Sequence, residues 1–213
     1  MSKPRVLLAD DHQILAEGLR GLLEPEFEVV GVVADGRELV AAAKKHRPDV
    51  IVADITMPSL NGIEAAVLLR EAGVKAKVVF LTMHRDVAYA RRALECGASG
   101  YVLKHSAASE LVTAVRDALR GQTYVTPMIA GELFQSYRKG DSRPLDSMQR
   151  FTVRQREVLQ LFAEGRSAKE VAAILHISPR TAEFHKARIL EALGIQTTTE
   201  LIQYAIRSGI ISV

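Results

Sequence analysis

Asp10, Asp11, Asp54, Thr82 and Lys104 each stand where an apolar run of strand type stops, after RVLLA, VIVA, KVVFL and GYVL. Their types are those that phosphoryl chemistry needs. Three carboxylates brought together crowd negative charge, which is unfavourable without a hard cation. Mg2+ takes oxygen ligands and keeps several waters, so carboxylates plus a phosphate oxygen suit it. A carboxylate can also act as a nucleophile and form an acyl phosphate. Lys104 would pair with the charge of a phosphoryl group, and the Thr82 hydroxyl would hydrogen-bond one of its oxygens. The set amounts to a nucleophile, metal ligands and two oxygen clamps. A lone Asp at a strand end is ordinarily a cap or turn former; the same feature on four runs of one chain is much harder to reach by chance.

These residues meet only if the runs lie side by side. Five apolar runs, 5–10, 27–33, 49–54, 77–82 and 99–104, alternate with amphipathic stretches near 12–23, 36–46, 62–72, 86–96 and 107–120. Five βα units in series predict a parallel sheet covered by helices on both faces. The stretch PDVIVADITMP, 48–58, contains a strand apolar on both faces, as a buried parallel strand should be. Ending it on Asp54 is costly unless the carboxylate sits at an open edge. In an open parallel sheet the functional crevice lies beyond the carboxyl ends of the strands, so the polar residues should share one rim. Asp35-Gly36, Asn61-Gly62 and Gly97 supply the expected punctuation between elements.

The totals narrow the class. The chain has 213 residues, 48% hydrophobic and 25% charged, the composition of a globular protein of one or two domains. Its longest apolar runs fall far short of the roughly 18 residues of a membrane span, and the opening MSKPR is charged too soon for a secretory signal. Cys96 is the only cysteine, which excludes an intramolecular disulfide and a cysteine-built metal site; its place at a helix end before Gly97 reads as a packed thiol. The six histidines form no metal-ligand grouping. These features fit a cytoplasmic protein. Residues 1–125 carry sixteen basic and sixteen acidic side chains, whereas 126–150 carry four and three and 151–213 carry eight and six. The slight basic excess lies in the later part of the chain, which permits a nucleic-acid partner without establishing one.

From Gly121 the βα rhythm breaks. Residues 122–147 read as a linker with a possible short helix around MIAGELFQSY and a charged, mobile tract RKGDSRP. Beyond it only helices suit the pattern, near 152–164, 168–175, 179–193 and 198–208. Thr152 with Gln155 and Ser167 with Glu170 match capping boxes, Ser178-Pro179 is a helix start, and Gly165 and Gly194 are helix ends. At about 100° per residue, Ala182, His185, Ile189 and Leu193 share a packing face, opposite Arg180, Glu183, Phe184, Ala187, Arg188 and Glu191. Two helices joined by the tight turn His176-Ile177 make a helix-turn-helix, whose second member enters a major groove. Glu157 reads as a partner for a basic side chain, Glu170 as a cap, and His185 as a local packing residue. The last helix is apolar on one side and suits a dimer contact.

The motifs LLADDHQ, VIVADITMPSLNG, VVFLTMH and GYVLKH resemble the CheY-like receiver domain of two-component response regulators, over nearly all of residues 4–121. FTVRQREVLQLFAEGRSAKEVAAILHISPRTAEFHKARILEAL resembles the LuxR-type domain of NarL/FixJ regulators, over residues 151–213. The resemblance implies a five-stranded, parallel, doubly wound receiver of flavodoxin type at 1–121, a linker at 122–147 and an all-α four-helix helix-turn-helix domain at 148–213. It implies Asp54 as phosphoacceptor, and Mg2+ held by Asp10, Asp11, Asp54 and the Thr56 carbonyl. Thr82 would move towards the phosphoryl group and Tyr101 would reposition with it. Met57-Pro58 and Gly62 fit the loop after the acceptor. Thr56 and His84 fall where family members vary and tune phosphoryl lifetime. His105 replaces the proline that many receivers carry after the lysine, which leaves the isomer of that peptide bond to the structure.

On the same basis Arg180, Glu183, Phe184, Ala187 and Arg188 are candidates for base edges. Arginine reads guanine, glutamate accepts from cytosine, and an aromatic ring touches thymine methyls. Thr181, Lys186 and the helix N-terminus suit phosphates. Ala182 stands where valine is usual. The expected protein is a DNA-binding transcription regulator, not an enzyme beyond self-catalysed phosphorylation and dephosphorylation. Its partners would be a sensor histidine kinase, double-stranded DNA and, once phosphorylated, a second copy. Two other readings remain: a regulator independent of phosphorylation, and a Mg2+-dependent phosphatase with an aspartyl nucleophile. The phosphatase would need an Asp two residues after the nucleophile, where this chain has Thr56, and it leaves 151–213 unexplained.

Overall fold

The computed structural model describes residues 2–139 and 151–211, which form two compact units. The N-terminal unit alternates strand and helix: β1 (Arg5–Ala9), α1 (Gln13–Leu23), β2 (Glu28–Val33), α2 (Gly36–His46), β3 (Val50–Asp54), α3 (Gly62–Glu71), β4 (Lys77–Thr82), α4 (Val87–Glu95), β5 (Gly100–Leu103) and α5 (Ala107–Leu119). A single 3-10 turn, Lys104–Ser106, joins β5 to α5. The apolar runs and amphipathic stretches of the sequence map onto these elements to within a residue or two. Asp35, Asn61 and Asp86 cap α2, α3 and α4 with their side-chain oxygens, which satisfies amide groups that a helix start leaves open.

The sheet is parallel throughout, in the order β2-β1-β3-β4-β5 with a sixth strand, β6 (Tyr124–Val125), beside β5. Alternate residues of the central strands, Val6, Leu8, Val50, Val52, Val79, Leu81 and Val102, share a buried cluster with α1 and α5, as the period of two requires. All five residues of β3 are buried. β6 extends the five-stranded expectation. Two residues are too short to show a strand pattern, and only their place beside β5 makes them one. After β6 comes α6 (Pro127–Lys139), which buries Ile129 and Leu133, one turn apart, and packs against α4. The described part of the stretch read as a linker is therefore built into the N-terminal unit. The rest of it, with most of the charged tract and the expected domain start at 148, lies outside the described residues.

The C-terminal unit contains α7 (Val153–Ala163), α8 (Ala168–Leu175), α9 (Pro179–Leu193) and α10 (Thr198–Arg207). Thr152, Ser167 and Thr197 each form a reciprocal capping box. Val158, Leu161, Phe162, Val171, Ala182, Ile189 and Leu201 lie in one buried cluster. His176 ends α8 in the left-handed conformation, φ 52°, and the Ile177 amide bonds back to Ala172. That tight turn lets α9 fold back across α8 and α7. On α10 the residues facing inward, Leu201 and Ala205, are spent on this unit's own core, and Ile206 stays exposed. Glu157 pairs with Arg154 at 3.0 Å, Glu170 closes its capping box, and half-buried His185 lies edge-on to Phe184.

Candidate functional site

β1 and β3 are neighbours, with Ala9 opposite Ala53, although β2 lies between them in sequence. The strand order reverses there, and such a switch point opens a crevice beyond the strand ends. Asp10 and Asp11 leave β1 on that rim and Asp54 ends β3 beside them. Lys104, just after β5, reaches in from two strands away. Its Nζ lies 2.8 Å from Asp10 Oδ2 and 2.7 Å from Asp54 Oδ2, and no more than 6% of any of the three side chains is exposed. Gly62 makes room for the loop after Asp54: a Cβ there would stand 2.1 Å from the Asp54 carbonyl oxygen.

Burial dominates the electrostatics. It pushes the Asp54 carboxyl up to about 6, with Lys104 and the Thr56 amide opposing and Asp10 adding to the rise. Burial alone would lower the Lys104 ammonium, but the charges of Asp54 and Asp10 outweigh it and hold it above its ordinary value. Lys104 is therefore a fixed cation, and Asp54 is a carboxylate whose charge is costly until another cation arrives.

A second set of contacts leads away from Asp54. The Thr56 amide donates to Asp54 Oδ1 at 3.2 Å, and Thr56 Oγ1 is 2.9 Å from His84 Nε2. The His84 amide donates to Thr82 Oγ1 at 3.1 Å, and its carbonyl accepts from the Tyr101 hydroxyl at 2.8 Å. The His84 ring stacks on Tyr89 of α4 at 4.4 Å between centroids. Burial lowers the His84 imidazole and, more strongly, raises the Tyr101 phenol, so both rings favour their neutral forms. The peptide bond between Lys104 and His105 is trans. Cys96 is half-buried, with Sγ directed to the Ala93 carbonyl and its thiol pushed up to about 11 by burial, an inert setting for a thiol.

For the histidines the fold corrects the sequence reading. Donor atoms of Asp10, Asp11, His12 and Asp54 all lie within 4.8 Å of one another. His12 Nδ1 is 2.9 Å from Asp11 Oδ1, an oxygen shut off from solvent that accepts no hydrogen bond from the described residues. The signal was present in the sequence, since His12 directly follows Asp11, but only the turn after β1 folds it back. The acidic set of oxygen donors fits a hard divalent cation.

The second site is the outer face of α9. Arg180, Glu183, Phe184, Ala187 and Arg188 are exposed, and Thr181 and Lys186 are half-buried. The Arg188 guanidinium lies over the Phe184 ring at 5.6 Å. Lys186 turns back onto its own unit, with Nζ 4.6 Å from the Phe162 ring centre. Thr181 Oγ1 is 2.8 Å from Ser178 Oγ at the helix start.

Two family models match the chain: the response regulator receiver domain over residues 6–116, and the luxR family of bacterial regulatory proteins over residues 149–205. The chain is a DNA-binding response regulator of the LuxR family. The regulator is 34% identical to the transcriptional regulatory protein DegU of Brevibacillus brevis, covering 100% of this chain and 97% of that one. It is 37% identical to the transcriptional regulatory protein MctR of Rhizobium johnstonii, covering 99% and 96%. Among solved structures it is similar to the RcsB response regulator of Salmonella typhimurium, at 26% identity over 100% of both chains with a TM-score of 0.66. A LuxR-family two-component response regulator from Aurantimonas sp. matches 64% of this chain and 99% of its own, at 40% identity and a TM-score of 0.61. The receiver match takes in every residue of the regulator's acidic site, and the luxR match every candidate on α9. β6 and α6 fall in the interval that neither match covers. Among the described residues no helix is long and apolar enough to cross a membrane.

Proposed function

We propose that this regulator is a cytoplasmic phosphorylation switch, in which a partner histidine kinase transfers a phosphoryl group to Asp54 and the helix-turn-helix unit carries the result to double-stranded DNA. The observation that supports it most directly is the meeting of Asp54, Asp10 and Lys104 within 2.8 Å contacts at the strand-order switch point. In the transfer an Asp54 carboxylate oxygen attacks phosphorus. The bond from phosphorus to the donor imidazole nitrogen breaks, that nitrogen leaves with the electron pair, and an acyl phosphate forms. Lys104, held protonated, offsets charge on the phosphoryl oxygens, and the Thr82 hydroxyl donates to one of them. Asp10, Asp11, Asp54 and the Thr56 carbonyl would hold Mg2+, which would neutralise the crowded carboxylates and the incoming phosphate. Any catalysis is confined to the chain's own phosphorylation and hydrolysis.

Loss of the Thr82 hydroxyl to a phosphoryl oxygen would release the His84 amide, and Tyr101, bonded to the His84 carbonyl, would respond. Such a local change biases a two-state surface, which we read as driving pairing with a second copy. On α9, Arg180, Glu183, Phe184, Ala187 and Arg188 present the donors, acceptor and apolar surface that base edges require, and Thr181 and Lys186 approach phosphates. RcsB has been solved in complex with DNA, and the shared luxR-type unit supports the same class of partner here. Radiolabelled acetyl phosphate with Mg2+ should label the wild-type chain and leave Asp54→Asn unlabelled; labelling of that variant at unchanged stoichiometry overturns the assignment. Equal operator affinity of the free and phosphorylated chains would instead favour a regulator independent of phosphorylation.

A further inference from the structure

Thr126 lies between the two family matches and is 1% exposed. It sits at a junction of three elements. Its amide donates to the Tyr101 carbonyl at 3.0 Å, the last main-chain rung between β5 and β6. The next β5 amide, that of Leu103, donates to Thr126 Oγ1 at 3.1 Å. Pro127 follows and takes the first position of α6, so the chain leaves the sheet and turns into that helix. The Thr126 hydroxyl in turn donates to Glu110 Oε2 of α5 at 2.6 Å. Its carbonyl accepts from the Ile129 and Ala130 amides at 2.9 and 3.1 Å, which starts α6. One buried threonine is thus the end of the sheet, the brace to α5 and the cap of α6. Of the β5 positions it holds, Tyr101 belongs to the proposed switch and Leu103 directly precedes Lys104.

A second path reaches the same helix. Thr56, beside Asp54, touches His84, and His84 stacks on Tyr89 of α4. Buried Glu64 of α3 pairs with Arg92 of α4, and α4 packs against α6. Both routes from Asp54 therefore end on α6, whose start is fixed by Thr126 and whose inner face is fixed by Ile129 and Leu133.

We infer that α6 is an output element of the receiver unit and that Thr126 is the positioning residue that couples it to Lys104 and Tyr101 on β5. This rests on the phosphoacceptor reading of Asp54. Loading Asp54 shifts the end of β5, and the shift passes through the Thr126 hydroxyl and carbonyl to the first turn of α6. A buried hydrogen-bonded junction transmits such a shift because breaking it leaves the buried Leu103 amide without its partner.

The test uses the full chain with Mg2+ and beryllofluoride, with Asp54 occupancy followed by fluorine NMR and α6 by amide exchange of peptides within 127–139. In the wild type, loading should change exchange across α6, and the Leu103, Ile129 and Ala130 amide resonances should shift together at one midpoint. Thr126→Val, which keeps the shape and deletes the hydroxyl, should still load Asp54 but lose the α6 response; Thr126→Ser should restore it. Loading of the wild type with an unchanged α6 overturns the inference alone, and so does a Thr126→Val chain whose α6 responds as the wild type does. A wild type that takes up no beryllofluoride overturns the phosphoacceptor reading and this inference with it. The wild-type resonances decide the matter even where the valine variant does not fold.

Discussion

Lys104 and Asp54 are 50 residues apart in the chain and 2.7 Å apart at the head of the sheet, with Asp10 on the other side of the same ammonium at 2.8 Å. One cation thus serves two buried carboxylates. Burial outweighs that shared cation and raises the Asp54 carboxyl.

Asp54→Asn should stabilise the protein in chelator at neutral pH. The folded-state carboxyl is raised to about 6 from an ordinary 3.8. The folded state therefore binds the extra proton, and stability falls as pH rises through that window. Above about pH 6 the full cost of the buried charge is present, on the order of 3 kcal/mol, and below about pH 4 it is absent. Urea unfolding of both chains should show the variant ahead at pH 7.5 and level at pH 4, with Mg2+ narrowing the gap at pH 7.5.

Lys104→Met should act in the opposite direction. It retains a long side chain but leaves Asp10 and Asp54 facing one another without their shared cation, a loss of about 3–5 kcal/mol for a broken buried pair. The loss should shrink on acidification, since the titration of Asp54 rises further once Lys104 is gone. Thermal unfolding between pH 5 and pH 8 checks this.

Arg180→Ala and Arg188→Ala should each weaken operator binding by about 1–3 kcal/mol and leave thermal stability almost unchanged, because both side chains are exposed. Lys186→Ala should divide differently. Its ammonium rests on the Phe162 ring, so part of its effect, about 0.5–1 kcal/mol, should appear as lost stability. Fluorescence anisotropy across a salt series, beside melting curves, separates the two classes.

Ser167→Ala removes one half of the capping box that starts α8, and should cost about 1 kcal/mol in the helix-turn-helix unit. The unfolding transition of that unit should move while labelling of Asp54 by acetyl phosphate does not.

The sequence by itself determined the elements and named the residues of the candidate site. Short continuous apolar runs alternating with amphipathic stretches, and broken by Asp35-Gly36, Asn61-Gly62 and Gly97, mark the strands and helices, because local propensity and capping are written in neighbouring residues. The capping boxes at Thr152 and Ser167 and the left-over polar face of α9 are legible for the same reason. Residue types at the strand ends named Asp10, Asp11, Asp54, Thr82 and Lys104 as one set.

Tertiary structure decided what depends on distant partners. Tyr124-Val125 is a strand only because β5 offers it an edge, and Thr126 gains its meaning only where that strand stops. His12 joins the acidic cluster through a turn that no periodicity records. Lys186 lies on Phe162, and Leu201 and Ala205 of α10 face inward, because packing of the small helical unit claims them. Long-range contacts fix burial, and burial is what raises Asp54 and holds Lys104 charged. Spacing along a chain carries residue types, but the dielectric and the partners around them exist only once the sheet has closed.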